Sequence, residues 1–381
     1  MRRAFKFATA AALALALAPA GASAQRVTLN VITAGDQNMV DYVKDYLGPI
    51  FQKSNPNVTI TSVGTGPGDA GSQKIAEKII AQKDRATWDV DVAVIHQKMA
   101  GDLVQQGLLA PYTQDIASGK MVSSDNSKMA LGAKVEGYVI PMFNSQTAIA
   151  YNPALVKSPP KTYKELEAWA KANPKQFGYN GIKGGMSGVS FVVGWVYAHS
   201  KDPNKLANGP YDAMEKASWD ASLAELRDFN KTATITPGNA GTLDMLNRGE
   251  IAMGPVWVDM FYTWMADGKL PPTMKLSLIG PGMPGQPMYY VIPAKAANME
   301  AAKKFIEIAT SPAVQADGIV KKFNWYPGID AQHVKSQLDD ATWNKLFVDV
   351  TPQELASKGK SFPIKQYFDD ILEAYEKKVV N

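Results

Sequence analysis

The 381-residue chain contains no cysteine. That excludes disulfides, thiolate metal sites and thiol nucleophiles together. Histidine is nearly as scarce, with His96, His199 and His333 making up the whole set. His199 and His333 fall in expected helical segments with no second ligand at metal spacing, so neither a metal nor another cofactor is expected. Catalytic signatures are missing too: there is no Gly-x-Ser-x-Gly elbow and no His-Glu-x-x-His pair. The acidic pair Asp339-Asp340 lies in a polar helical tail and reads as solvated rather than catalytic. Blocks of Lys and Arg are absent, which argues against a nucleic-acid partner, because that needs a clustered basic footprint. Beyond the first residues, no apolar run approaches the roughly 20 residues needed to span a bilayer.

The N-terminus is distinctive. Arg2, Arg3 and Lys6 precede an apolar stretch from Phe7 to about Leu17, and Ala22-Ser23-Ala24 follows. That order reads as a cleaved secretory signal peptide over residues 1–24, with Gln25 as the first mature residue. The leader removes three of the 40 basic side chains and none of the 36 acidic ones, so the mature chain is nearly neutral. The 357 residues that remain exceed what one core supports, and two lobes are expected.

The mature chain opens with alternating strands and helices. Val27–Thr33, Val58–Val63 and Val90–Ile95 read as strands, and Met39–Phe51 and the segment holding Ile75, Ile79 and Ile80 as helices. Ser72 is placed to cap the second helix. A short helix is expected over Ala100–Gln106. This alternation implies an α/β fold with parallel units. Farther on, Thr162–Glu165 and Thr351–Glu354 carry the capping-box spacing. Tyr211–Lys231 is expected as one amphipathic helix with Met214, Ala217, Ala221 and Ala224 inward, and Ile251–Val256 as a buried strand. Met299–Ala309 is expected as a helix that ends before Ser311-Pro312. Pro-rich breaks at 153–160, 271–272 and 281–287 suggest that the chain crosses between lobes more than once.

Several stretches in sequence carry a resemblance. They are Phe51-Gln52-Lys53 with Asn55-Pro56-Asn57-Val58; Trp88-Asp89-Val90-Asp91-Val92; Gly137–Pro141 followed by Ile149–Asn152; Pro159-Pro160-Lys161-Thr162; Asn247–Met253; and Ile292–Ala296 with Ser311–Gln315. Across about residues 30–320 the chain resembles family 1 of the extracellular solute-binding proteins, the maltose- and polyamine-binding-like group. The resemblance implies a type II periplasmic binding protein fold, with two α/β lobes joined by crossover hinge strands and a ligand cleft between them. Lobe 1 is expected at 25–144 plus 273–323, and lobe 2 at 145–272 plus 324–381 with C-terminal helices. The partners implied are one small-molecule solute and the transmembrane permease of an ABC importer with its cytoplasmic ATPase. A monomer, free in the periplasm of a Gram-negative bacterium, is expected, since no cysteine is available for a lipid anchor.

Ligands of parallel α/β sheets bind beyond the carboxyl ends of strands. That rule selects Asp36 and Gln37 after the first strand, and Gly66 and Ser72 around the glycine loop 64–68. It selects His96 and Gln97 after the third strand, and Asn144 and Ser145 at the crossover. The loop lacks the Lys-Ser/Thr of a Walker A motif, so nucleotide hydrolysis is not expected. In the second lobe the candidates are Trp257 and Asp259, together with Trp325 where the chain recrosses. Tyr289 is added because one member of Tyr289-Tyr290 can reach the cleft; alternation along a strand keeps the two from chelating one iron. Indole faces suit sugars and organic cations alike. The leading expectation is a sugar, polyol or glycoside. The alternatives are a polyamine or other organic cation if Asp36 and Asp259 lack basic partners, and a secreted glycoside hydrolase.

Overall fold

A computed structural model describes residues 26–380; the expected signal peptide lies outside the described residues. Val27–Ala34 pairs in parallel with Val58–Gly66 on one side and Val92–Ile95 on the other. These strands are rich in β-branched residues, and helices cover the sheet formed around them. Val92–Ile95 is buried along its whole length, as a central parallel strand should be.

Two long strands carry the chain between the halves of the molecule. Met283–Val291 runs antiparallel to Val92–Ile95 and, on its other edge, to Ile140–Tyr151. Ile140–Tyr151 uses its first residues against Met283–Val291 and Tyr326–Pro327. Its later residues pair with Met253–Trp257 and Lys275–Ser277. One continuous 12-residue strand therefore belongs to the sheet of both halves. The result is the mixed α/β binding-protein architecture that the resemblance implies.

Several sequence expectations are altered. The helix expected over Met39–Phe51 starts at Gln37 and passes through a π-helical stretch, Tyr42–Leu47, before continuing as Gly48–Ser54. Ser72 caps nothing, because its helix begins four residues earlier, at Gly68, and Ser72 is buried inside it. The expected helix Tyr211–Lys231 is a 3-10 segment, Ala213–Trp219, followed by an α-helix, Asp220–Thr232. Its buried face is Trp219, Leu223, Leu226 and Phe229, whereas Met214 is 78% exposed. Small alanines bury little apolar area, and the bulky side chains decide which face turns inward. Thr162 accepts a bond from the Glu165 N–H, but Glu165 returns its carboxylate to Lys161 N, one residue early. The reciprocal box is complete at Thr351 and Glu354.

Asp91 fastens the first half together. It is fully buried, and its carboxylate accepts from Asn30 N at 2.8 Å, Asn298 N at 2.9 Å and Asn298 Nδ2 at 3.1 Å. One side chain thus ties the first strand, the third strand and the start of helix Met299–Ala309. Replacing it leaves two buried backbone N–H groups without acceptors. Asp91→Ala is expected to cost about 3 kcal/mol or more. A urea titration in which the variant unfolds within about 1 kcal/mol of the parent would refute this role.

Candidate functional site

Strand ends and helix starts from both halves converge on one cavity. It is lined by Gly35, Asp36, Met39, Gly68 and His96 from the first half. Phe143 and Ser145 come from the crossover strand, Gln286 and Met288 from the second long strand, and Met186, Asn239, Trp257 and Asp259 from the second half. The space open to the centre of a water molecule is only about 20 Å³. That is room for about one such molecule, and beside it a wider space of about 500 Å³ runs between Asp36–Tyr46 and Ala240, Met260, Trp264 and Lys269.

Asp36 follows the first strand through Gly35, whose φ of 116° belongs to the left-handed side that glycine tolerates. Asn239 Nδ2 donates to the Asp36 carboxylate at 3.0 Å across the lobe boundary. The orientation of that amide is set from behind, where its oxygen accepts from Asn180 Nδ2 at 2.9 Å and Ser187 Oγ at 2.8 Å. Gly185, at φ 148°, makes the approach possible, because a β-carbon there would overlap the Asn239 amide. Burial raises the Asp36 carboxyl above its ordinary range, and the Asn239 bond offsets part of the rise.

Asp259 sits in the first turn of helix Val258–Ala266, just beyond the Met253–Trp257 strand. It is 2% exposed, and Ser145 Oγ donates to its Oδ1. Oδ2 is buried with no hydrogen-bond partner. No Lys or Arg among the described residues pairs with either carboxylate. Burial first, with Asp36 nearby adding to it, pushes Asp259 up to about 7. Thus two acids share one small cavity, and neither has a salt-bridge partner among the described residues.

His96 also lines the cavity, and burial pushes its ring down to about 4, so it is neutral at physiological pH. Ser72 Oγ accepts from His96 N at 3.0 Å and contacts Nδ1 at 2.8 Å. The hydroxyl has a second lone pair and one proton, so it can meet either tautomer at Nδ1. The remaining walls are apolar and polarisable: Phe143, Trp257, Met39, Met186 and Met288.

The twelve candidate residues divide in two. Asp36, His96, Ser145, Trp257 and Asp259 line the cavity; the other seven do not. Gln37 is exposed and donates to Asp41. Gly66 ends its strand and accepts from Gly35 N. Ser72 stands behind His96. Gln97 donates to the Tyr289 hydroxyl at 3.3 Å, and Tyr289 itself donates to Asn126 O away from the cavity. Asn144 donates to Pro327 O at 2.7 Å. Trp325 is fully buried, and its Nε1 donates to Asp259 O and Thr263 Oγ1, both at 3.0 Å. It therefore holds the helix that presents Asp259. Phe143 belongs to the crossover expected at the cleft floor, and it lines the cavity. Met39, Met186, Asn239, Gln286 and Met288 were not expected from the sequence; of these Asn239, after a Pro-Gly break, was the findable one.

A family model for bacterial extracellular solute-binding proteins matches residues 49–332. The chain belongs to that family. Known structures of similar fold include maltose-bound MalE3 of T. maritima, with a TM-score of 0.73, 14% identity, and coverage of 92% of this chain and 95% of that one. An extracellular solute-binding protein of Bordetella parapertussis matches at 0.68 and 18%, covering 92% and 98%. The spermidine/putrescine substrate-binding protein PotD of Streptococcus pneumoniae matches at 0.65 and 14%, covering 92% and 99%. The members of that family are extracellular solute-binding proteins. Among the described residues no helix is long and apolar enough to cross a membrane.

Two outcomes test the cavity's electrostatics and its support. An acid pushed up by burial binds a proton more tightly folded than unfolded. The stability from Asp259 is full below about pH 4 and is lost as pH rises through about 7. Without ligand, Asp259→Asn is therefore expected to gain on the parent as pH rises from 4 to 8, by about 4 kcal/mol at the upper end. Urea titrations at the two pH values check the sign; a difference that shrinks with pH contradicts it. Ser72→Ala strips His96 of both contacts and is expected to cost about 1–3 kcal/mol. A melting temperature equal to the parent's would show the pair to be dispensable.

Proposed function

We propose that this solute-binding protein works in the periplasm, and that its cleft captures a small organic cation for an ABC importer by closing around it. The observation that carries the reading is the pair Asp36, partly buried, and Asp259, fully buried, on one cavity without a salt-bridge partner. An isolated buried carboxylate is costly, and the Asp259 Oδ2 atom lacks even a neutral hydrogen bond. An ammonium group between the two acids supplies the missing charge and donors at once.

The apolar walls support the same ligand. Phe143 and Trp257 offer ring faces to a cation, and three methionine side chains adapt to its alkyl part. A neutral sugar fits the cavity chemistry less well. Ser145 and Asn239 already spend donors on the two acids, leaving two carboxylates whose charge a polyol does not neutralise. A retaining or inverting glycosidase also needs two acids flanking a groove with room for a sugar, and here both lie on one small cavity.

Closure follows from linkage. A ligand that meets Asp36 on one side and Asn239 and Asp259 on the other touches both halves only when they are together, so it favours the shut state. The test is a thermal-shift and calorimetric panel of putrescine, spermidine, choline, maltose and tagatose. An amine at 100 times its dissociation constant is expected to stabilise the protein by about 2.7 kcal/mol. Asp259→Asn and Asp36→Asn are each expected to abolish the shift while leaving the protein folded. A shift with either sugar and none with any amine would overturn the cation reading.

A further inference from the structure

Away from the cleft, three side chains that are far apart in sequence come together on the outer helices. Glu167 lies on helix Tyr163–Ala172, His199 ends helix Met186–His199, and Glu225 lies on helix Asp220–Thr232. One ligand atom from each falls within 4.8 Å of the other two. None of the three lines the cleft cavity.

The histidine ring is held in one orientation. Its Nδ1 is 2.8 Å from the Trp195 carbonyl oxygen, which can only accept, so Nδ1 carries a proton. The ring also stacks on the Trp195 indole, with centroids 5.2 Å apart and planes 26° from parallel. Trp195 is fully buried and donates from Nε1 to Ser222 O at 2.9 Å, one turn before Glu225 on the same helix. The imidazole is thereby fixed relative to the carboxylate it faces.

Nε2 is 3.2 Å from Glu225 Oε2. With the proton on Nδ1, a neutral ring presents a lone pair at Nε2 to a carboxylate oxygen. Two acceptors at that distance need something positive between or beside them. A second ring proton gives an ion pair with Glu225, while Glu167 faces His199 with Lys171 and Lys164 as its other basic neighbours. A divalent ion uses all three groups.

We infer that Glu167, His199 and Glu225 form a binding site for one zinc-class divalent cation, with a fourth position open to water. Tetrahedral zinc holds N and O ligands near 2.1 Å, which places them about 3.4 Å apart. The His199–Glu225 separation already matches, and the carboxylates reach the remaining distance by rotating about exposed side-chain bonds. A histidine that donates its other N–H to a backbone carbonyl is the usual support of a metal-bound imidazole. The ion clips three helices of the second half together and takes no part in holding the solute.

The test uses the purified protein stripped of metal with chelator and titrated calorimetrically with zinc chloride. One ion per chain is expected, with a dissociation constant in the micromolar range or tighter. His199→Ala, Glu167→Gln and Glu225→Gln are each expected to weaken binding at least tenfold. The ligand-induced shift of the cleft should be unchanged in all three. Circular dichroism and the metal-free melting temperature confirm that the variants fold. Cobalt(II) substitution should give the absorption of a four-coordinate ion, lost in His199→Ala. The proposal falls if zinc does not bind, leaving a His199–Glu225 ion pair only. It falls equally if binding survives all three substitutions, or if the loss is confined to Glu225→Gln.

Discussion

The carboxylates of Asp36 and Asp259 share one small cavity in which no lysine or arginine side chain of the described residues answers them. Most of the cleft's construction follows from that constraint. Burial disfavours both charges, and each acid raises the cost of ionising the other. Three states relieve the strain: a proton taken up, the lobes parted so that water returns, or a cation brought in by the solute. With Asp259 near 7, a proton relieves the strain only in part at neutral pH, whereas a cation relieves it with both acids ionised. The charge arrangement therefore couples ligand capture to closure without requiring a separate trigger.

The acids stay usable because their neighbours hold them without neutralising them. Ser145 and Asn239 are uncharged donors, and each satisfies one carboxylate oxygen. Behind them the order is strict. Asn180 and Ser187 orient the Asn239 amide, while Trp325 ties the start of the Asp259 helix from outside the cavity. Ser145 belongs to the strand that both halves share, so the contact to Asp259 lies on the hinge itself. A lysine in place of any of these donors would satisfy an acid permanently and remove the reason for a ligand to enter.

Much of the fold was legible because strands and amphipathic helices announce themselves by periodicity. Val27–Ala34, Val92–Ile95 and Met299–Ala309 lie where the pattern puts them, with boundaries shifted by two residues at most. Helix Met186–His199 was given no bounds, with His199 alone placed in a helical segment. Its middle, Val189 to Tyr197, is apolar on every side because the helix is buried on every side, so no polar face marks it. The strand-end rule found Asp36, His96 and Asp259, whose positions depend on local order alone. It also selected Tyr289, Asn144 and Trp325, where side-chain direction decides, and direction depends on register with strands far away in sequence. The methionines were invisible for another reason: nothing in a sequence separates a methionine that lines a cavity from one that fills a core. The same limit hid the Glu167–His199–Glu225 cluster, since its spacing is set by the packing of three helices rather than along any one.

Burial acts on the cavity's two kinds of titratable group in opposite directions, and this fixes the charge that a solute meets. Desolvation penalises whichever form is charged, so it lifts Asp259 to about 7 and lowers His96 to about 4. Between those values the histidine is neutral and cannot serve as the missing counter-ion. Ser72 occupies its Nδ1, and the ring meets a solute as an uncharged group. Stability contributed by neutral His96 is present above about pH 6.5 and lost as pH falls toward 4, whereas that from protonated Asp259 is lost as pH rises over the same interval. The two partly cancel in the empty protein. A bound cation breaks the cancellation, because it stabilises the ionised acids and leaves the histidine untouched. The liganded protein should therefore hold its stability toward higher pH than the empty one, with the gain concentrated where Asp259 would otherwise keep its proton.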